Sequence, residues 1–250
     1  MYTLKKSLGQ HFLKDENIIR KIIAALQENE FSNLLEVGPG AGALTKHLAV
    51  LPGINFKAVE LDEEKIDYLI KTYPSLKDKL IHKSFLDIEQ PFESAFTVIG
   101  NFPYNISTQI LFKILEWKDS VPVVIGMFQK EVAQRASSKE GSKVYGVLSA
   151  LLQAYYEPEY LFDVSNECFN PPPKVQSGVI RLKRKTTALN VKSDRAYWVL
   201  VKTAFNQRRK QLRNAVKSLF DEETLKEEIF SKRAEALSID DFAALTFKMK

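Results

Sequence analysis

The stretch Asn33-Leu34-Leu35-Glu36-Val37-Gly38-Pro39-Gly40-Ala41-Gly42-Ala43-Leu44-Thr45 restricts the fold of this chain more than any other. A short apolar run enters a turn with glycines at alternate positions, and a helical pattern follows through about Leu51, which opens a nucleotide-binding βαβ unit. Glycines there let the backbone approach a ligand closely. The spacing is Gly-x-Gly-x-Gly, whereas dinucleotide sites use Gly-x-Gly-x-x-Gly, so no pyrophosphate needs to be cradled. A second run, Phe56-Lys57-Ala58-Val59, ends at Glu60-Leu61-Asp62. An acid at the tip of a second strand is placed to bind a ribose diol, which makes Glu60 the candidate ribose ligand. Asp62 precedes Glu63, Glu64 and the apolar positions Ile66, Leu69 and Ile70, and suits the N-cap of the next helix. Glu36 has two readings: facing a cleft it suits a ligand ammonium, and otherwise it is a salt-bridged strand-end carboxylate.

Further strands follow in the same alternation. Lys79 to Lys83 reads as the third and Ala95 to Gly100 as the fourth. Ligands of doubly wound sheets sit beyond the carboxyl ends of the strands, so Ser84 to Asp87 is expected to border the adenine portion of a nucleoside cofactor. The fourth strand runs into Asn101-Phe102-Pro103-Tyr104. Proline biases Phe102 toward extended geometry and removes an N–H, leaving carbonyls as acceptors. The Asn101 amide oxygen and a backbone carbonyl each accept one hydrogen of an exocyclic amine, and Tyr104 offers a face to a planar ring. The guest that fits is a nucleobase bearing an NH₂ group; the competing reading is a strand end followed by an ordinary Asx-Pro turn. Val121 to Phe128 is expected as a fifth strand, Lys130 to Ala136 as a helix, and Ser137 to Lys143 as a polar loop. Val147 to Tyr156 and Val175 to Leu182 are apolar enough to be the last two strands. Ahead of all this, Asp15 caps a helix built on Ile18, Ile19, Ile22, Ile23 and Leu26, and Ser7 to Leu13 suits an arm folding over a ligand better than a regular strand.

Charge is distributed unevenly. The chain of 250 residues carries a formal +5, but residues 181–218 hold twelve Lys or Arg against the single acid Asp194, which makes that segment +11 and the remainder −6. Such segregation fits a polyanion-binding face, while a merely solvated basic surface is the alternative. The single Cys168 excludes an internal disulfide, and His11, His47 and His82 lack metal-site spacing, so no metal is expected. No apolar run of about 18 residues occurs, and the opening residues do not form an apolar signal core, so the expectation is a cytoplasmic protein with no membrane contact.

Seven blocks in order, Gly9-Gln10-His11-Phe12-Leu13, Glu36-Val37-Gly38-Pro39-Gly40, Glu60-Leu61-Asp62, Asn101-Phe102-Pro103-Tyr104-Asn105-Ile106, Gln129-Lys130-Glu131-Val132-Ala133, Phe169-Asn170-Pro171-Pro172-Pro173-Lys174-Val175-Gln176-Ser177 and Phe205-Asn206-Gln207-Arg208-Arg209-Lys210, resemble the ribosomal RNA adenine dimethyltransferase family of the bacterial KsgA/RsmA type. The resemblance implies an α/β chain: a class I methyltransferase Rossmann-like doubly wound sheet of seven mostly parallel strands, closed by an antiparallel hairpin, over residues 1–185, with a small C-terminal helical RNA-binding domain at 186–250. It implies methyl transfer from S-adenosyl-L-methionine to the exocyclic amines of two adjacent adenines near the 3′ end of 16S rRNA in the 30S subunit, by a monomer with a role in small-subunit assembly. Cofactor contacts carried over fall on His11, Leu13, Gly38, Glu60 and Asn101, with Gln10 in the arm and Gly40 in the turn beside them. The adenine contact of the family falls on Ser84, with Asp87 as the alternative, because the usual acid is missing at that register. Phe169 is implied as a second ring opposite Tyr104. RNA contacts are expected from Arg208, Arg209, Lys210 and Arg213 on what reads as a helix start. Two rivals stand beside this: an enzyme of the same fold acting on one adenine of large-subunit RNA, and an RNA-binding assembly factor without turnover.

Overall fold

The structure is a computed structural model that describes residues 11–250. In chain order its strands and α-helices are β1 (Phe12–Leu13), α1 (Glu16–Gln27), β2 (Asn33–Val37), α2 (Thr45–Leu48), β3 (Asn55–Glu60), α3 (Glu63–Thr72), β4 (Leu80–His82), β5 (Thr97–Asn101), α4 (Ser107–Glu116), β6 (Val123–Gln129), α5 (Lys130–Ser137), α6 (Val147–Tyr155), β7 (Tyr156–Val164), β8 (Phe169–Asn170), β9 (Ser177–Arg184), α7 (Asp194–Asn206), α8 (Leu212–Ala215) and α9 (Ile239–Thr246). The chain divides into two compact units, residues 1–133 with 159–184, and residues 134–158 with 185–250. Residues 134–158, grouped with the N-terminal domain in the sequence reading, thus cluster with the C-terminal residues.

The first unit carries the seven-stranded sheet, in the order β4-β3-β2-β5-β6-β9-β7. Strands β4, β3, β2, β5 and β6 run parallel to one another, and β9 is antiparallel to β6. Every residue of β2 is buried, as a central strand covered on both faces requires. The chain leaves β2 toward β3 and β4 on one side and returns to β5 and β6 on the other. A crevice therefore opens between the carboxyl ends of β2 and β5, where the winding direction reverses. Because β9 is antiparallel, it presents its first residue at that same end: Ser177 lies opposite Gln129 at the end of β6.

Local signals account for the helices that frame the sheet. The Asp15 carboxylate caps α1, accepting from Asn17 N at 2.8 Å and Ile18 N at 3.1 Å, while Ile19, Ile22, Ile23 and Leu26 form its buried stripe. Asp62 caps α3 as expected, accepting from Glu64 N at 3.2 Å. The described part of the N-terminal arm departs from expectation, for Phe12 and Leu13 form a two-residue antiparallel strand against Asn170 and Phe169. Expected bounds of β4, β5, β6 and β9 shift by one or two residues.

One element is of the wrong type in the sequence reading. Residues Val147 to Tyr155 form α6, and the strand follows it as β7. In α6 the residues Leu148, Ser149, Ala150, Leu151, Leu152 and Ala154 are all buried, so no polar face marks the helical period, and a continuous apolar run reads equally as a buried strand. Its rich Leu and Ala content suits a helix, and the Ser149 hydroxyl accepts from Gly146 N at 3.1 Å to close the first turn. Within the second unit Tyr197 on α7 donates to the carbonyl of Ala150 on α6 at 3.1 Å. Among the described residues no helix is long and apolar enough to cross a membrane.

Candidate active site

A cavity of about 190 Å³ opens at the carboxyl ends of β2, β3 and β5 in the first unit. Its walls are the segment His11–Leu13, the turn from Glu36 to Leu44, the end of β3 with Glu60 and Leu61, the loop Lys83–Leu86, and Asn101 through Ile106. Segments far apart in the chain converge because parallel strands present all their carboxyl ends on one side.

The glycine turn supplies the floor. Gly38 and Gly40 have φ of 70° and 55°, a backbone conformation side-chain-bearing residues rarely adopt, and a Cβ at Gly40 meets Phe12 Cε1 at 3.0 Å. This folding of the backbone turns Gly40 N toward Glu60, whose Oε2 accepts from it at 3.0 Å. The other oxygen, Oε1, accepts from Leu61 N at 2.9 Å and Asp62 N at 3.0 Å. Glu60 is thereby fixed at the strand tip. Burial raises its pKa, and the N–H groups of Asp62, Gly40 and Leu61 pull it partly back down.

Glu36 lies deeper, only 1 % exposed, and it lines the cavity rather than making a surface salt bridge. Its Oε2 has no hydrogen-bond partner among the described residues; the Thr45 hydroxyl favours the ionised form but stands outside bonding geometry. Desolvation, with the Glu60 charge adding to it, lifts the Glu36 pKa to about 8. The cavity therefore holds a carboxyl that a buried cation would ionise.

Asn101 ends β5 and donates from Nδ2 to the His11 carbonyl at 3.0 Å, which commits the amide nitrogen and leaves the oxygen as acceptor. Phe102 is a core residue, 1 % exposed, with its ring 4.8 Å from that of Phe128. The Pro103 carbonyl, expected to face the cavity as an acceptor, already receives Ser107 Oγ at 3.1 Å and Ile106 N at 3.3 Å in the turn that starts α4. Tyr104 lies with its ring 5.5 Å from His11 at an interplanar angle of 30°, and its hydroxyl is hydrogen-bonded to Ser177. Burial raises the Tyr104 pKa, a shift that the bond to Ser177 reduces.

Other expected residues fall out differently. Leu13 and Ser84 line the cavity, whereas Asp87 is exposed and is not part of its wall. Ser84 Oγ also accepts from Leu86 N at 3.2 Å, which holds the loop. Phe169 is fully buried within the core and paired with Leu13, so it does not stand opposite Tyr104 as a second exposed ring. Its aromatic side chain completes the core under the arm, and the requirement of packing wins over access. Gln10 lies outside the described residues. In the second unit, Arg208, Arg209 and Lys210 occupy the turn between α7 and α8 rather than a helix start. Arg208 is engaged by Glu235 and by the carbonyls of Ser142 and Lys143, and Arg213 Nε reaches the Phe230 carbonyl at 3.4 Å. Arg209 and Lys210 are exposed. Ser177 was not singled out from sequence, since its partner lies 73 residues away and only the sheet brings them together.

The parallel sheet with an antiparallel closing strand, and a cavity at its switch point, define a class I methyltransferase. The same fold is seen in the crystal structure of a dimethyladenosine transferase from Plasmodium falciparum, with a TM-score of 0.76 at 23 % identity over 93 % of this chain and 94 % of that one. It is seen also in the 23S rRNA methyltransferase ErmE, with a TM-score of 0.71 at 22 % identity over 93 % and 99 % of the two chains. The chain belongs to the ribosomal RNA adenine dimethylase family, whose model matches residues 1–247. Proteins named ribosomal RNA small subunit methyltransferase A from Flavobacterium johnsoniae and Cytophaga hutchinsonii are 50 % and 48 % identical to it, over 98 % and 97 % of this chain and 95 % of each of theirs.

Proposed function

We propose that this protein dimethylates the exocyclic amines of two adjacent adenines near the 3′ end of 16S rRNA in the small ribosomal subunit, drawing methyl groups from S-adenosylmethionine. What carries the reading is the cavity in which Glu36, Glu60, the glycine turn and the Asn101–Tyr104 segment meet, in a chain half identical over its length to small-subunit RNA methyltransferases. A cationic nucleoside suits these residues: a buried carboxyl with an unpartnered oxygen that a cation would ionise, a strand-tip carboxylate with both oxygens held in place, and a backbone turn that admits close approach. Bound there, S-adenosylmethionine supplies a methyl on a sulfonium, already activated for in-line displacement.

The chain's own residues then bind and orient. Glu60 accepts from the ribose hydroxyls, using lone pairs its backbone donors leave open. Glu36 would balance the ligand's ammonium, and Ser84, which lines the cavity where Asp87 does not, would border the adenine. His11, Leu13, Gly38 and Gly40 enclose the ligand.

The target adenine needs a nitrogen with an available lone pair about 3 Å from the methyl carbon. The Asn101 oxygen accepts a hydrogen of that amine and draws the lone pair out of conjugation. The Pro103 carbonyl serves as second acceptor through whatever capacity its two local donors leave. Tyr104 stacks on the base once it is splayed from the RNA, a contact worth about 1–3 kcal/mol. Phe102 supports the segment from the core, and Phe169 supports the arm.

Residues 186–250 form the RNA-binding part, where Arg209 and Lys210 meet phosphates and Arg208 and Arg213 hold their loops; contacts of this kind position without reading sequence. The protein works as a cytoplasmic monomer, without metal or membrane, during small-subunit assembly. Mass spectrometry of ribosomal RNA from cells with and without the protein is the test. Dimethyladenosine missing from small-subunit RNA alone supports the reading, and loss from large-subunit RNA, or no loss, overturns it.

A further inference from the structure

Tyr104 is held from a direction that the reaction chemistry does not require. Its hydroxyl is bonded to the Ser177 hydroxyl, and Ser177 is fully buried at the start of β9. The residues of the seven-stranded sheet that line the cavity come from the carboxyl ends of parallel strands, whereas β9 runs the opposite way and brings its amino end to Tyr104. Ser177 is pinned there by its register opposite Gln129, next to the backbone bond from Lys130 N to the Gln176 carbonyl at 2.9 Å. The position of that hydroxyl is thus set by the sheet and not by a mobile loop.

On the other side, the Tyr104 ring meets His11 at 5.5 Å with a tilt of 30°, and the Tyr104 carbonyl accepts from Ser107 Oγ at 3.2 Å. The backbone, one ring face and the hydroxyl are all restrained. Without the last restraint the ring still turns about its χ angles, because the turn Tyr104–Ile106 has no other buried anchor in it. A base stacked on a ring that wanders does not hold its amine in line with the methyl donor.

We propose that Ser177 is a positioning residue for methyl transfer, its hydroxyl holding the Tyr104 phenol so that the ring offers a fixed face to the target adenine. This rests on the methyltransferase reading above. It predicts that the hydroxyl pair acts as a unit: the bond is lost equally from either end.

The experiment compares wild type, Ser177→Ala, Tyr104→Phe and the double variant in single-turnover methylation of small subunits, with cofactor affinity and thermal melting measured on the same preparations. The expected result is a rate loss of about five- to tenfold in each single variant, the size of one neutral hydrogen bond. The double variant loses no more than either single one, and cofactor affinity stays within about twofold, since one bond has been removed twice. Tyr104→Phe keeps the test decisive if Ser177→Ala fails to fold. Wild-type rates in the single variants, or losses that multiply in the double, overturn the proposal while leaving the methyltransferase reading intact. A wild-type protein that methylates nothing overturns both.

Discussion

Replacing Glu36 by Gln tests whether the cavity holds a proton in the absence of ligand. The folded-state pKa is about 8 against an ordinary 4.5. Between those values the folded chain keeps a proton on Glu36 that the unfolded chain has released, so the wild type loses stability as pH rises from about 4.5 to about 8 and loses no more beyond. At 1.36 kcal/mol per unit, the cost is about 3 kcal/mol at pH 7 and about 5 kcal/mol above pH 8. Gln has nearly the same shape and no proton to lose. Its stability relative to the wild type is therefore expected to climb by about 4 kcal/mol between pH 5 and pH 8.5, an upper figure because water entering the cavity relieves part of it. Urea unfolding of both proteins at several pH values gives the difference directly. Parallel curves, with the variant offset by a constant amount, would refute the assignment of a buried neutral carboxyl at this position.

Three other perturbations follow from the geometry. Glu60→Gln places an amide where three backbone N–H groups point, and cofactor affinity measured by calorimetry is expected to fall about a hundredfold; a change under threefold sinks the ribose role. Gly100→Ala puts a Cβ 2.5 Å from the Val37 carbonyl and 3.0 Å from the Phe102 ring, so a loss of about 3 kcal/mol is expected in urea melts, and a neutral outcome contradicts the tight packing of β2 against β5. Arg209→Ala with Lys210→Ala is expected to reduce the slope of log affinity for RNA against log salt by about 1.5, whereas Arg208→Ala acts through stability of the second unit by releasing Glu235 and the Ser142 and Lys143 carbonyls. Equal salt slopes in all variants would place the phosphate contacts elsewhere.

Much of the molecule follows from short-range pattern. Alternating strands and helices, the glycine turn, the caps at Asp15 and Asp62, and the acid ending β3 depend on neighbours within a few residues, and those neighbours are printed in the sequence. Where local information was ambiguous, so was the reading. Helix α6 buries every side of itself and hides its period; residues 134–158 join the second unit through contacts with α7 that no local pattern encodes.

What sequence alone determined, then, is six of the seven strands of the sheet, β7 being missed behind α6, and the identity of the chemical groups along its carboxyl edge. Tertiary structure decided which of those groups reach the cavity. It buried Phe169, it set Arg208 to holding a loop, and it left Glu36 without a donor. It also joined Ser177 to Tyr104 through the reversed direction of β9. The physical reason is that burial and hydrogen-bond partnership are properties of surroundings assembled from distant segments, and a residue's type states only what it is able to do.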